Sequence, residues 1–163
     1  MGIIHARVDE RLLHGQVAMT WTNLTGANRI IVVNDAVVKD EILIGALKMA
    51  KPSGVKLSIL SINKAIKNIL SGKYEEDKAF LITQNIKDME KIINGGISLS
   101  TFNVGNISAK ENSVAIKKSV SLTKEDIDIL KRLTESGIKI TAQMVPTESD
   151  ESIIKFLPKG KVL

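Results

Sequence analysis

Ala27-Asn28-Arg29-Ile30-Ile31-Val32-Val33-Asn34-Asp35 sets four β-branched apolar residues in a row and closes them with two turn-formers. Such a run has no alternation that would leave one face in water. It reads as a strand buried on both faces, the situation of a central strand in a parallel sheet. Outward from it the pattern switches between short β-branched runs and stretches of helical period. Upstream, residues 16–24 have helical spacing and stop at Gly26, and residues 3–8 read as the preceding strand. Downstream, Asp35 is expected to cap a helix running to about Ala50, which the breaker Lys51-Pro52-Ser53-Gly54 ends. Residues 55–60 form a third strand, Ser61 caps a helix through Leu70 closed by Gly72, and residues 78–83 form a fourth strand. A helix over 86–93 ends at Gly95-Gly96, and 101–104 is a fifth strand. Residues 110–118 fit either a surface loop or an antiparallel hairpin, and 119–122 a short strand. Thr123 with Asp126 makes a capping box for a helix through Glu135, stopped by Gly137. A last strand over 139–145 and a helical turn over 152–157 follow. Strand alternating with helix at this rhythm predicts an α/β fold, a doubly wound, mostly parallel sheet with helices on both faces.

The 163 residues suit one domain spanning 1–163, since two would each be undersized. A hydrophobic share of 44% supplies a core and 25% charged residues a solvated surface, which excludes global disorder. The apolar runs fall far short of a bilayer span, and the N-terminus lacks the basic-then-apolar order of a signal peptide. The absence of cysteine excludes disulfide scaffolds, thiolate metal sites and cysteine nucleophiles, and suits a reducing cytosol. Lysine and arginine number 23 against 18 acidic residues, a formal charge of +5. The lysines are scattered, and Trp21, Tyr74, Phe80, Phe102 and Phe156 are the only aromatics, so nucleic acid is not the expected partner. A mildly basic surface fits an acidic or phosphorylated protein as well, or a lysine-rich solvated surface with no partner, so charge alone does not decide.

Open parallel sheets bind ligands at the carboxyl ends of their strands. The first strand is followed by Asp9-Glu10-Arg11-Leu12-Leu13-His14-Gly15-Gln16, the second by Asn34-Asp35, the third by Ser61, the fourth by Gln84-Asn85 and the fifth by Gly105-Asn106. Turns favour such residues in any case. The first loop exceeds that need, with two acids, an arginine, a histidine and a glycine between Asp9 and Gly15. His5, the only other histidine, lies inside the first strand and reads as filler on a sheet face. His14 precedes a helix N-terminus, whose free N–H groups and dipole favour an anion, and Gly15 lets the backbone turn tightly. Arg11 offers a planar fork for phosphate oxygens. Asp9 is placed to orient either Arg11 or the imidazole. An imidazole nucleophile, an arginine and a nest of amides are what a phosphoryl group passing through histidine requires. No GxGxxG, Walker A or GxSxG motif is present, so no cofactor is implied, and two distant histidines without cysteine do not make a zinc site.

The string from Arg7 to Val17, followed by Trp21, closely resembles the start of the enzyme IIB subunits of the mannose/fructose/sorbose family, part of the bacterial phosphoenolpyruvate-dependent sugar phosphotransferase system. The resemblance continues through 27–35, 55–60, Asn103-Val104-Gly105-Asn106, Lys118-Ser119-Val120-Ser121 and Val145-Pro146, nearly the whole chain. It implies a cytoplasmic subunit, peripheral to a membrane transporter, with a mostly parallel sheet and one antiparallel strand. His14 would take a phosphoryl group on Nδ1 from a phosphohistidine of the IIA partner and pass it to the sugar carried by the membrane IIC and IID subunits. Arg11 would stabilise the transferring group and Asp9 orient the loop. Gly15 and Gln16 would offer amides, and Asn34, Asp35 and Gly105 would line the same rim as support. No metal or cofactor is implied, and a homo-oligomer is left open. Ile107 stands where members commonly show Met, and Ser108-Ala109-Lys110-Glu111-Asn112 lacks the family's aromatic and glycine. Asp9-Glu10-Arg11 and Val145-Pro146-Thr147-Glu148 resemble the N-acetylgalactosamine branch. A phosphohistidine must be reached by its partners, so the site is expected on an exposed rim. The competing reading is a non-catalytic regulatory module that recognises phosphate or a phosphoprotein reversibly through Arg11 and His14.

Overall fold

The β-branched run is the second strand of a six-stranded sheet in the computed structural model, which describes residues 2–158. The strands are β1 (Gly2–Asp9), β2 (Arg29–Val33), β3 (Lys56–Leu60), β4 (Lys78–Thr83), β5 (Thr101–Asn106), β6 (Ser113–Lys117), β7 (Val120–Thr123) and β8 (Lys139–Ala142). The main sheet has the order β3-β2-β4-β1-β5-β8 and every pairing in it is parallel. Ile30, Ile31, Val32 and Val33 are each fully buried, which explains their lack of alternation. Helices α1 (Gly15–Thr25) and α2 (Glu41–Ala50) cover one face, over a core containing Trp21, Leu47 and Phe80. Helices α3 (Ile62–Leu70), α4 (Ile86–Asn94) and α5 (Lys124–Glu135) cover the other, with Ala65, Met89 and Leu130 inside. None of the described helices is long and apolar enough to cross a membrane.

Local chemistry explains where the helices begin. Ser61 accepts from the Lys64 amide to cap α3, and Thr123 and Asp126 form the expected capping box on α5. Asp35, by contrast, does not cap a helix running from 35 to 50. A 3₁₀ turn (Val37–Lys39) intervenes, and α2 is capped by Asp40, whose Oδ1 accepts from the Leu43 amide at 3.1 Å. Asp35 instead reaches across to accept from the Ile62 amide at 2.8 Å, at the start of α3. The segment 110–118 resolves as a hairpin: β6 and β7 pair antiparallel in a small sheet of their own. The last strand ends at Ala142 rather than at 145, because the next two carbonyls turn inward to serve buried donors from β1, β5 and α1.

The winding creates the crevice. β1 leads to α1 on one face, whereas its neighbour β4 leads to α4 on the opposite face. The carboxyl ends of these adjacent strands therefore diverge, and the loop after β1 stands at the parting.

Candidate functional site

Two leucines anchor the loop after β1. Leu12 and Leu13 are buried in the core beneath α1, and the Leu12 amide closes a turn onto the Asp9 carbonyl at 2.8 Å. Leu12 holds φ +59, a left-handed conformation rare for a branched side chain, and Gly15 holds φ +44. With its leucines pinned inward, the loop presents Arg11, His14 and Gly15 outward. His14, Gly15 and Gln16 are exposed.

His14 occupies the N-cap position of α1 in extended conformation, yet its side chain makes no capping bond. The first turn of α1 carries no acidic residue either. Its leading amides are thus left to solvent or an anion, and the helix dipole adds to their pull.

Asp9 resolves the choice that the sequence leaves open: it serves arginines, not the imidazole. It is 1% exposed and is saturated by donors. Oδ1 accepts from the Arg11 amide at 2.9 Å and from Arg11 Nε at 3.2 Å. Oδ2 accepts from Arg11 Nη2 and from Arg7 Nη2, both at 3.1 Å. The Asp9–Arg11 contact is therefore a two-pronged fork, with Nη1 left over on a side chain that is 28% exposed.

Arg7 is the functional residue that sequence reasoning missed. It is 2% exposed and lies beneath the loop, sharing a strand face with Asp9. Nη1 donates to the Gln143 carbonyl and Nη2 to the Met144 carbonyl, both at 2.9 Å, and its Cζ sits 5.2 Å from the Trp21 ring centre. Trp21 Nε1 donates to the same Met144 carbonyl at 3.0 Å, and Asn103 Nδ2 to the Gln143 carbonyl at 2.9 Å. Burial lowers the Arg7 pKa, with the Asp9 carboxylate opposing that shift. One buried carboxylate shared by two guanidiniums leaves the cluster with a positive charge directed at the loop.

Gly105 lies beneath the rim and not on it. β1 and β5 slip register there, with Val8 opposite Val104 but Asp9 opposite Asn106. A Cβ on Gly105 would overlap the Arg7 guanidinium. Glycine is required here for the space it leaves, not for its backbone freedom.

The supporting residues act through hydrogen bonds. Asn34 is buried, and its Oδ1 accepts from the amides of Ala36 and Val37 at 3.0 and 2.9 Å. Its Nδ2 donates to Gln84 Oε1 at 3.0 Å, and Gln84 Nε2 donates to the Glu10 carbonyl at 3.2 Å. That relay ties the ends of β2 and β4 to the loop that carries His14. Asp35 is exposed and belongs to the start of α3. The Glu10 carboxylate receives the Ser108 amide at 3.1 Å, the Ser108 hydroxyl, and Lys110 Nζ at 2.9 Å. Burial opposes ionisation of Glu10, but the bonds from Lys110 and Ser108 win and hold its pKa below the usual range. The segment 108–112 is thereby fastened to the loop carrying His14. A cleft of about 400 Å³ beside it is lined by Glu10, Gln84, Ile107 and Lys110 among others, and His14 stands outside it.

Residues 3–163 match the family described as the PTS system sorbose subfamily IIB component. The sorbose-specific EIIB component of Lacticaseibacillus casei is 36% identical over 154 residues, covering 94% of each chain. The mannose-specific EIIAB component of Escherichia coli strain K12 is 32% identical over 94% of this chain, which spans 48% of that longer protein. The crystal structure of the IIBSor domain of the sorbose permease from Klebsiella pneumoniae superposes with a TM-score of 0.91 at 31% identity, covering 96% of both chains. The chain belongs to the sorbose subfamily of IIB components of the sugar phosphotransferase system.

Proposed function

We propose that residues 1–163 work as one cytoplasmic carrier domain in which His14 receives a phosphoryl group from a phosphohistidine of a IIA protein. His14 then yields it to a sugar held by membrane IIC and IID subunits. The observation that carries this reading is an exposed, unbonded imidazole at an uncapped helix N-terminus, in the same short loop as an arginine held by a buried carboxylate. In the first transfer a ring nitrogen of neutral His14 bonds to phosphorus as the donor's N–P bond breaks, and the donor imidazole leaves neutral. In the second, a sugar hydroxyl oxygen bonds to phosphorus, the His14 N–P bond breaks, and the hydroxyl proton is released. Arg11 Nη1 and the amides of Gly15 and Gln16 stabilise the moving negative charge. Asp9 and Arg7 act beneath them as positioning residues. The EIIAB name of the mannose relative supports a IIA-type donor. The sugar is of the mannose family's range, and the motifs Asp9-Glu10-Arg11 and Val145-Pro146-Thr147-Glu148 favour N-acetylgalactosamine.

The test is intact mass after incubation with a phosphorylated IIA protein of this family, for wild type and His14→Ala. One added phosphoryl group, acid-labile, base-stable and absent from the variant, is the expected result. An exposed histidine contributes little to folding, so the variant should unfold within about 0.5 kcal/mol of wild type. Reversible phosphate binding without an adduct would return the regulatory-module reading, and an adduct that persists in the variant would move the acceptor elsewhere.

A further inference from the structure

Helix α2 carries an apolar face that no described residue of its own chain covers. Leu47 is buried, and Leu43 and Ile44 pack against the core, which fixes the inner side. At roughly 100° per residue the opposite side carries Ile42, Gly45, Ala46 and Met49, an i, i+3, i+4, i+7 stripe of the kind that ordinarily points inward. Ile42 and Met49 are 88% and 89% exposed, more than any other large apolar side chain among the described residues. Two bulky side chains flanking two small ones form a patch suited to another helix, and isolated apolar exposure does not account for it.

We propose that this face docks on the same face of a second copy of the chain, the two α2 helices lying antiparallel about a two-fold axis that passes between residues 45 and 46. Such an axis sets Ile42 against the second copy's Met49 and Met49 against its Ile42. Gly45 and Ala46 meet their counterparts at the centre, where a Cβ on Gly45 would find nothing within 4 Å. The helix axes can then approach to the short end of the usual range, about 8 Å.

Charge selects the occupant. Glu41 in the first turn and Lys48 in the last lie on one flank of the stripe, both roughly 90° from its centre. A two-fold axis keeps that flank on the same side in both copies, so Glu41 of each faces Lys48 of the other. The offset along the axis is about 3 Å, at 1.5 Å rise per residue, which both side chains span easily. A parallel two-fold pair would put the charged flanks on opposite sides of the seam, so neither Glu41 would meet a Lys48. The antiparallel one is self-complementary in both its apolar and its charged contacts.

The arrangement leaves the acceptor loop free. α2 starts at the carboxyl edge of the sheet, after β2, so antiparallel pairing directs the two His14 rims to opposite ends of the dimer. Dimerisation and phosphoryl uptake are therefore separable by mutation.

Sedimentation velocity on the full chain over a dilution series tests this. Wild type should shift from monomer to dimer as concentration rises, and Ile42→Glu and Met49→Glu should each lose the dimer while still accepting phosphate on His14. Glu41→Lys and Lys48→Glu should each weaken the dimer several-fold, and the combined Glu41→Lys/Lys48→Glu variant should recover it. A wild type that stays monomeric throughout overturns the proposal. So does a dimer indifferent to Ile42→Glu, or a combined swap that fails to recover.

Discussion

Replacing Gly105 with alanine adds one methyl group at a position whose φ is not in the left-handed region, so the backbone tolerates the change. The whole cost falls on Arg7, because the new Cβ overlaps its guanidinium. That group donates to Asp9 and to the Gln143 and Met144 carbonyls. Hydrogen bonds involving a charged group are worth about 1.5–3 kcal/mol each, and disrupting a buried ion pair costs roughly 3–5 kcal/mol. We expect Gly105→Ala to destabilise the fold by about 4 kcal/mol, a fall in Tm of roughly 10 °C for a domain of this size. Urea unfolding followed by the fluorescence of Trp21, the single tryptophan and a direct neighbour of Arg7, reads the effect. Phosphoryl uptake should slow in parallel, since Asp9 loses one of the two arginines that hold it. A double-mutant cycle isolates the cause: in an Arg7→Met background, which empties the space, Gly105→Ala should cost less than about 1 kcal/mol. A cost that is small in wild type, or equal in both backgrounds, would refute the claim that Gly105 exists to seat Arg7.

Other substitutions probe the remaining links. Arg11→Lys should slow phosphoryl transfer by about tenfold or more with little loss of stability, because lysine cannot form the two-pronged contact with Asp9; wild-type rapid-quench kinetics would contradict it. Asn34→Ala removes the acceptor for two amides and breaks the relay to Gln84, and should cost about 1–2 kcal/mol by urea unfolding. His5 is stacked 4.8 Å from Trp21, and burial, reinforced by the charge on Arg7, pushes its pKa down to about 4. The unfolded chain protonates this histidine below about pH 6.5, whereas the folded chain does so only near pH 4. Stability should thus fall as pH drops through that window, by about 2 kcal/mol at pH 5. His5→Phe should lack this loss, and identical pH profiles for the two proteins would argue against it.

The strands of the main sheet are legible because continuous β-branched runs such as 30–33 have one physical solution. The capping box at Thr123 and Asp126 is legible because it is a local bargain between two side chains and two amides. Asp35 misled because Asp40 has the same capping chemistry five residues on, and the sequence does not say that a 3₁₀ turn separates them. The loop of His14 stands out by its concentration of chemistry, but its foundation does not. Arg7 looks like an ordinary solvent-facing strand residue, since arginine is rarely buried. Two signals point the other way: Asp9 falls on the same strand face two residues later, and Gly105 interrupts another apolar strand where a bulge or close approach is implied. Joining them needs the pairing of β1 with β5, which is long-range information. The inward turn of the Gln143 and Met144 carbonyls has no sequence signature.

The seat of Arg7 is drawn from both ends of the chain. Its donors lie in β1, its clearance is made by β5, and its two carbonyl acceptors follow β8. During synthesis the His14 loop leaves the ribosome first and waits for more than a hundred further residues before Gln143 and Met144 emerge. A nascent or truncated chain therefore displays His14 without the two carbonyls that seat Arg7. The buried frame beneath the loop is completed only when the last strand docks.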